Sequence, residues 1–310
     1  MAKILIADKL HPAFKEKAEK LGYTVDDRPD FTREQTLAAI HEYEGLAIRT
    51  KFRIDREIMD AAPHLRFIAR AGAGMDNIDE DYAHQKGIRC INAPEGNRDA
   101  VAEHAIGLLL SLTNRLGRGD REIRNGIWDR EGNRGMELKG KTVGIVGYGF
   151  MGESFARRLQ GFDVNVLAYD KYKTGFSDEF AEEASMEQIV RQSDVLSLHI
   201  PLTRETRQLV DDEYLLHFKK PIFLLNTSRG EIVNTMSVLK GIREGRIRGA
   251  GLDVLEAEKF PLLGEQPWYD ELIHNDRVIL SPHVAGWSTE SYRKISEVLG
   301  EKLARLSGIR

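Results

Sequence analysis

The sequence predicts an α/β protein built from two doubly wound parallel-sheet domains, and three observations predict it. Short β-rich runs alternate with helical patterns from the third residue onward, as a parallel sheet with crossover helices requires. The alternation runs through twice, on either side of one long stretch with helical apolar spacing. At 310 residues the chain is long enough for two units of roughly 150 residues, each able to bury its own core.

In the first series the expected strands are Lys3–Ala7, Leu46–Arg49, Arg66–Ala69 and Ile88–Ile91, with helical spacing at Ala13–Leu21, Arg33–His41 and Arg56–Ala61 between them. A long helix is expected from near Arg98, where Val101, Ala105, Leu108, Leu109 and Leu112 recur at helical spacing. The second series opens at Thr142–Val146 and continues through strands Asp163–Tyr169, Val195–His199, Ile222–Asn226, Gly249–Val254 and Arg277–Leu280. A last amphipathic pattern, Ser288 to Leu306, has no strand after it, so its apolar stripe needs another surface to cover it. Returning it to the first domain gives the expected boundaries, 1–97 with 286–310 for one domain and 98–285 for the other. No short-period repeat and no low-complexity segment is present.

Composition removes several function classes. Lys and Arg (45) and Asp and Glu (49) are interspersed and give a formal net charge of -4, so no basic face is available to track nucleic acid. The one cysteine, Cys90, lies in an apolar run. It permits neither an internal disulfide nor a cysteine-based metal site, no metal is expected, and a reducing cytoplasm suits it. The apolar run at the N-terminus is too short for a signal peptide and reads as a first strand. No stretch of 18 apolar residues exists to span a membrane.

The strand Thr142–Val146 runs into Gly147-Tyr148-Gly149-Phe150-Met151-Gly152 and then into a helical pattern, the context in which G-x-G-x-x-G carries physical meaning. Gly147 permits the tight turn, Gly149 lets backbone approach a pyrophosphate, and Gly152 lets helix and strand pack closely. The helix N-terminus adds free N–H groups and the positive end of its dipole. Asp170 ends the next strand 18 residues after Gly152, close to the roughly 20 expected of a carboxylate that binds both ribose hydroxyls. The expected cofactor is NAD: a 2′-phosphate would meet like charge at Asp170, although Lys171 and Lys173 lie close behind.

Three residues after three different strands suit hydride transfer to a 2-keto acid, which needs a cation for the carboxylate and carbonyl and a tuned proton donor. Arg229 follows Ile222–Asn226, Glu258 lies five residues beyond Asp253, and His283 follows Val278–Leu280. By position alone Arg229 equally suits a surface ion pair, a glutamate placed like Glu258 is more often a solvated loop acid, and a lone histidine near a strand end such as His283 is usually structural. A Glu258–His283 contact would favour the imidazolium and keep a proton available near neutral pH.

At this point the sequence resembles the D-isomer-specific 2-hydroxyacid dehydrogenases, a family of phosphoglycerate, glycerate and formate dehydrogenases and glyoxylate/hydroxypyruvate reductases. The resemblant blocks are Arg70–Asp79, Asn97–Leu110, Gly147–Gly152, His199–Thr203, Asn226–Gly230, Gly251–Glu258 and Ser281–Thr289, in that order along nearly the whole chain. The resemblance implies a Rossmann NAD-binding domain inserted into a flavodoxin-like substrate domain. It implies Arg229 as substrate anchor, His283 as the proton-exchanging group and Glu258 as its partner. Gly72 and Ala73 would cradle the substrate carboxylate, with Arg49, Arg70 and Asn97 lining the pocket. Phe150 and Met151 would lie in the pyrophosphate turn, His199, Pro201, Thr206 and Thr227 along the nucleotide, and Asp253 and Ala285 by the carboxamide. The helix from Arg98 would build a homodimer interface. One departure stands out: family members usually carry Glu-Pro at the acid, whereas here Lys259 follows Glu258 and Glu256 is a neighbouring rival. The stretch Lys259 to His274, with Trp268 and Tyr269, reads as a surface excursion, with a loop over the site as the alternative.

A phosphorylated substrate needs several cations, because a dianion demands more than one positive partner. Arg49, Lys51 and Arg70 supply some, and Trp128-Asp129-Arg130 is similar to a Trp-acid-Arg stretch of 3-phosphoglycerate dehydrogenases in which the arginine helps to hold phosphate. The expected reaction is oxidation of 3-phosphoglycerate to 3-phosphohydroxypyruvate, the entry to serine biosynthesis. The alternatives are a glyoxylate/hydroxypyruvate reductase and, from another class, an NAD-sensing protein like a corepressor. With the last helix reaching almost to Arg310, no C-terminal regulatory domain is expected.

Overall fold

The computed structural model describes residues 2–308 and divides into two compact units. Unit 1 takes the chain up to Arg98 and again from Trp287, and unit 2 takes Asp99–Gly286. Unit 1 opens with β1 (Lys3–Ile6), α1 (Pro12–Lys20), β2 (Thr24–Asp27), α2 (Arg33–Ala39), β3 (Gly45–Ile48), α3 (Arg56–Asp60), β4 (Phe67–Arg70), α4 (Glu80–Gln85) and β5 (Arg89–Asn92). Its strands pair in parallel in the order β2-β1-β3-β4-β5, the flavodoxin-like order. The inner strands are covered on both faces, which is why Ile4-Leu5-Ile6, Leu46-Ala47-Ile48 and Phe67-Ile68-Ala69 are continuous apolar runs. Side chains of Thr32, Asp55 and Asp79 each accept a hydrogen bond from a first-turn N–H and so fix where α2, α3 and α4 begin.

Helix α5 (Pro94–Thr113) starts earlier than the spacing near Arg98 predicts. Pro94 suits the first turn of a helix, where its missing N–H leaves no bond unmade. Unit 2 continues with α6 (Leu116–Arg124), β6 (Thr142–Val146), α7 (Phe150–Leu159), β7 (Asn165–Tyr169), β8 (Glu182–Glu183), α8 (Met186–Gln192), β9 (Val195–Leu198), α9 (Asp212–Leu216), β10 (Ile222–Asn226), α10 (Thr235–Arg243), β11 (Ile247–Leu252), α11 (Tyr269–Ile273) and β12 (Val278–Leu280). These strands pair in parallel in the order β12-β11-β10-β9-β6-β7-β8. The order reverses between β6 and β9, and in open sheets the ligand crevice lies outside the carboxyl ends of the strands at such a switch. One side of the sheet packs on Ile189, Leu215, Val238, Leu239 and Ile242, the other on Ala102, Ala105, Leu109, Phe155 and Leu159. Trp268 and Leu272 are buried in this core, so the excursion after Lys259 returns to the fold rather than staying on the surface.

Helix α12 (Thr289–Leu306) completes unit 1. Ser288 and Ser291 close a capping box at its start, and Ile295, Leu299 and Leu303 bury against Phe14 and Ala18 of α1 and against Ile4, Ile6 and Ala69. Lys302 ties the helix to the end of β5, donating to the Asn92 carbonyl at 3.0 Å and pairing with Glu95 at 2.8 Å. Among the described residues no helix is long and apolar enough to cross a membrane.

Candidate active site

In unit 2 the glycine-rich turn joins β6 to α7. Gly147 has φ +95°, which an L side chain rarely adopts, and its N–H donates to the Tyr169 carbonyl at 2.8 Å. A Cβ at Gly152 would overlap the Gly147 carbonyl oxygen, so only glycine lets the helix start this close to the turn. Gly149 precedes α7 without a side chain to cap it, and the space a Cβ would take there is open. The N–H groups of Phe150, Met151 and Gly152 in the first turn are therefore left for an anion.

Asp170 stands at the end of β7, where its carboxylate accepts from the N–H groups of Tyr148 and Tyr172, each at 2.9 Å. Both bonds hold the acid beside the turn while leaving acceptor capacity for hydroxyls. The two lysines that follow are engaged elsewhere: Lys171 pairs with Glu205, and Lys173 Nζ donates to the Tyr148 carbonyl at 2.6 Å. At the end of β9, His199 Nε2 bonds Ser197 Oγ at 2.8 Å, and burial pushes the ring's pKa down to about 4. Its Nδ1 and the Thr227 hydroxyl are buried and without a partner among the described residues. Thr206 closes the turn after Pro201, donating to the Pro201 carbonyl at 2.7 Å and accepting from Thr203 N–H at 2.7 Å. Open space at Gly149, an uncapped helix start and two orphaned polar atoms fit a dinucleotide along this edge.

Asn226 is fully buried, donates to the Arg229 carbonyl at 2.9 Å and accepts from Ser228 N–H, fixing the turn that carries Arg229. The backbone of Gly230 then meets Leu255 and Glu256, so the arginine turn and the turn after β11 are in direct contact. His283 Nδ1 lies 2.9 Å from Glu258 Oε2, with both side chains partly exposed. Glu256 faces elsewhere: it accepts from Gln208 Nε2 at 2.8 Å and from Thr235 N–H, the first residue of α10, at 2.9 Å. Of the two rival acids, only Glu258 is joined to the histidine.

Asp253 is fully buried. Its carboxylate accepts from Ser281 Oγ at 2.6 Å, Val284 N–H at 2.9 Å and Ala285 N–H at 2.9 Å. Its carbonyl accepts His283 N–H at 2.7 Å. Its oxygens are turned into the loop that carries His283, and Ala285 is itself held by them. Ser281 also bonds His104 Nε2 at 2.8 Å.

In unit 1, Arg49 lies with its guanidinium carbon 3.1 Å from the centroid of the Trp287 ring, and burial pushes its pKa below the ordinary value. Asp8, at the end of β1, accepts from the N–H groups of Arg49, Thr50 and Lys51 and sets that turn. The Arg70 guanidinium lies over Gly72, and the carbonyls of Gly72 and Ala73 accept from Ala93 N–H and Asn92 Nδ2. Asn97 Oδ1 is buried without a partner among the described residues. Arg130 is exposed in unit 2, next to Asp129, which pairs with Arg118. Among the described residues no cluster of three or more His, Cys, Asp or Glu could hold a metal ion. Sequence reasoning missed Asp8, Ser281, Trp287 and His104. The signal for Asp8 was an acid at a strand end, and for Ser281 a hydroxyl just before Pro282-His283.

Residues 106–285 match the NAD binding domain of the D-isomer specific 2-hydroxyacid dehydrogenases. The chain is 33% identical over 310 residues to a D-3-phosphoglycerate dehydrogenase of Archaeoglobus fulgidus, covering 98% of this chain and 57% of that protein. It therefore spans little more than half the length of that relative. It is 38% identical over 279 residues to a glyoxylate reductase of Thermofilum pendens, covering 88% of this chain and 80% of that protein. A crystal structure of D-lactate dehydrogenase from Aquifex aeolicus, complexed with NAD and lactic acid, superposes with a TM-score of 0.82 at 27% identity over 99% of this chain and 96% of that one. With its NAD binding domain matched and relatives of this identity along nearly all of its length, the chain belongs to the D-isomer specific 2-hydroxyacid dehydrogenase family.

Proposed function

We propose that the protein is an NAD-dependent oxidoreductase acting between a D-2-hydroxy acid and its 2-keto acid. The observation that carries this reading is the His283–Glu258 pair, 2.9 Å apart on the loops after β12 and β11. With Nδ1 committed to Glu258, Nε2 is the ring nitrogen that takes the hydroxyl proton as C2 gives up its hydrogen with two electrons. NAD, when bound, supplies the acceptor for that hydride. Arg229 polarises the substrate oxygen and anchors the carboxylate. Gly147 to Gly152 would hold the pyrophosphate and Asp170 the ribose, with His199, Pro201, Thr206 and Thr227 along the nucleotide. The carboxylate would be met by the amides of Gly72 and Ala73 and by Arg49, Arg70 and Asn97.

The finer assignment is 3-phosphoglycerate oxidation in serine biosynthesis, with Arg130 as a phosphate partner. It is supported by the cations at the strand ends of unit 1 and the 33% identical relative. Glyoxylate or hydroxypyruvate reduction is the second reading, favoured by the 38% identical relative. A homodimer in the cytoplasm completes the proposal. Its interface is the helix from Arg98, extended by Leu116, Ile123, Ile127 and Trp128, which are exposed on the segment that follows it, and the half-buried Cys90 thiol, pushed up to about 11 by burial, suits a reducing compartment.

The test is NADH absorbance with NAD and 3-phosphoglycerate in one direction and with NADH and glyoxylate or hydroxypyruvate in the other. The His283→Ala variant is expected to lose about 10²-fold or more in turnover while still binding NAD. Full turnover in that variant would remove the histidine from the chemistry. Sedimentation of wild type against Ile123→Glu tests the dimer: both should differ in mass if that segment is the interface.

A further inference from the structure

The loop that carries His283 hangs on one buried carboxylate, and that carboxylate is reached from the long helix α5. We propose that His104 is a positioning residue for His283, acting through Ser281 and Asp253. The inference rests on the hydride-transfer reading above and adds a residue to it. A serine hydroxyl has one proton, and Ser281 gives it to Asp253 Oδ1 at 2.6 Å. At 2.8 Å from the same oxygen, His104 Nε2 is then the donor, which fixes its ring proton on Nε2. His104 Nε2 also lies 3.5 Å from Asp253 Oδ1 itself. Ser281 is therefore held from both sides, and Asp253 keeps a complete set of donors in a place where a missing one is costly.

This matters to His283 because of its backbone. His283 has φ +54°, a left-handed conformation that a residue with a Cβ keeps only when its surroundings over-determine it. What over-determines it is Asp253: its carbonyl takes His283 N–H, and its carboxylate takes the next two N–H groups, Val284 and Ala285. On α5 the neighbours Ala102, Ala105, Leu108 and Leu109 are buried in the core of unit 2. His104 thus fastens the loop to a rigid element, as a precisely held proton donor requires.

The test compares His104→Phe, which keeps a ring and loses the donor, with His104→Gln, which keeps an N–H at similar reach. Turnover is read with NADH and hydroxypyruvate or glyoxylate, NADH affinity by fluorescence, and exposure of the Val284 and Ala285 amides by hydrogen exchange. Misplacing a reacting group by a fraction of an ångström makes a loss of roughly tenfold in kcat the expected effect of the Phe variant, with NADH affinity near wild type. Faster exchange at Val284 and Ala285 should accompany it, and the Gln variant should restore both. Wild-type kcat and exchange in His104→Phe would overturn the proposal, and so would a Gln variant no better than Phe. If His104→Phe does not fold, Ser281→Ala removes the middle of the relay and is read the same way. A wild type that turns over none of these acids counts against the hydride-transfer reading, while the exchange comparison still decides the role of His104.

Discussion

Two glycine-to-alanine changes three residues apart should separate what the nucleotide turn does for the fold from what it does for the ligand. In Gly152→Ala the new Cβ overlaps the Gly147 carbonyl oxygen, with Gly147 C at 3.1 Å and Ile145 Cγ2 at 3.2 Å. None of these is the far end of a flexible side chain, so helix α7 must move by on the order of 1 Å to reach an ordinary separation of about 3.5 Å. Overpacking of this kind costs about 1–3 kcal/mol. At about 2–4 °C per kcal/mol for a unit this size, a fall in Tm of about 6 °C is expected without ligand. Gly149→Ala meets nothing within 4 Å and has an ordinary φ of -97°. It should lose only the small preference of a helix cap for glycine over alanine. Its methyl group would occupy the space proposed for the pyrophosphate, however, so NAD affinity should drop at least about tenfold, equal to about 1.4 kcal/mol. Calorimetric melting without ligand and titration with NAD give both quantities. An unchanged Tm in Gly152→Ala would refute the close-approach argument, and wild-type NAD binding in Gly149→Ala would refute the location of the pyrophosphate.

Glu258→Gln should cut turnover by about 10–100-fold with little change in melting, since the partner of an acid–base group tunes and orients it. Glu256→Ala should do the reverse, leaving turnover near wild type and costing about 1–3 kcal/mol through the hydrogen bonds it takes from Thr235 N–H and Gln208 Nε2; finding the two effects exchanged would reverse the roles of these acids. His199 gives a pH dependence. Its folded pKa is depressed to about 4 from 6.5, so between those values the unfolded chain holds the extra proton and acid favours unfolding. Stability should therefore rise with pH through that window by up to about 1.4 kcal/mol per unit from this group, and His199→Asn should flatten the slope in denaturant titrations.

Buried strands were legible because covering both faces demands unbroken apolar runs, as in Thr142-Val143-Gly144-Ile145-Val146. Two of the four edge strands were not, although β5 and β12 were. Thr24-Val25-Asp26-Asp27 and Glu182-Glu183 carry acids that an edge tolerates and a central strand does not, so nothing in their composition marked them. Helix α6, with two glycines among its charges and no buried residue, has only Leu116 and Ile123 as apolar residues, too few to mark a helix. In the nucleotide turn the glycine spacing is itself the geometry, and so could be read directly. The choice between Glu256 and Glu258 depends on which way a loop folds back, and the inward turn of Asp253 depends on donors from a segment far along the chain. Neither is a property of local pattern.

Helix α12 has a consequence for the order in which the molecule assembles as it is made. Ile295, Leu299 and Leu303 fill the face between α1 and the first sheet, so that layer cannot close until the last helix has emerged from the ribosome. Unit 2, continuous from Asp99 to Gly286, has no such wait. The portion synthesised first is thus finished last: released chains truncated just before residue 289 should resist protease in the later-made unit and remain cleavable in the earlier one.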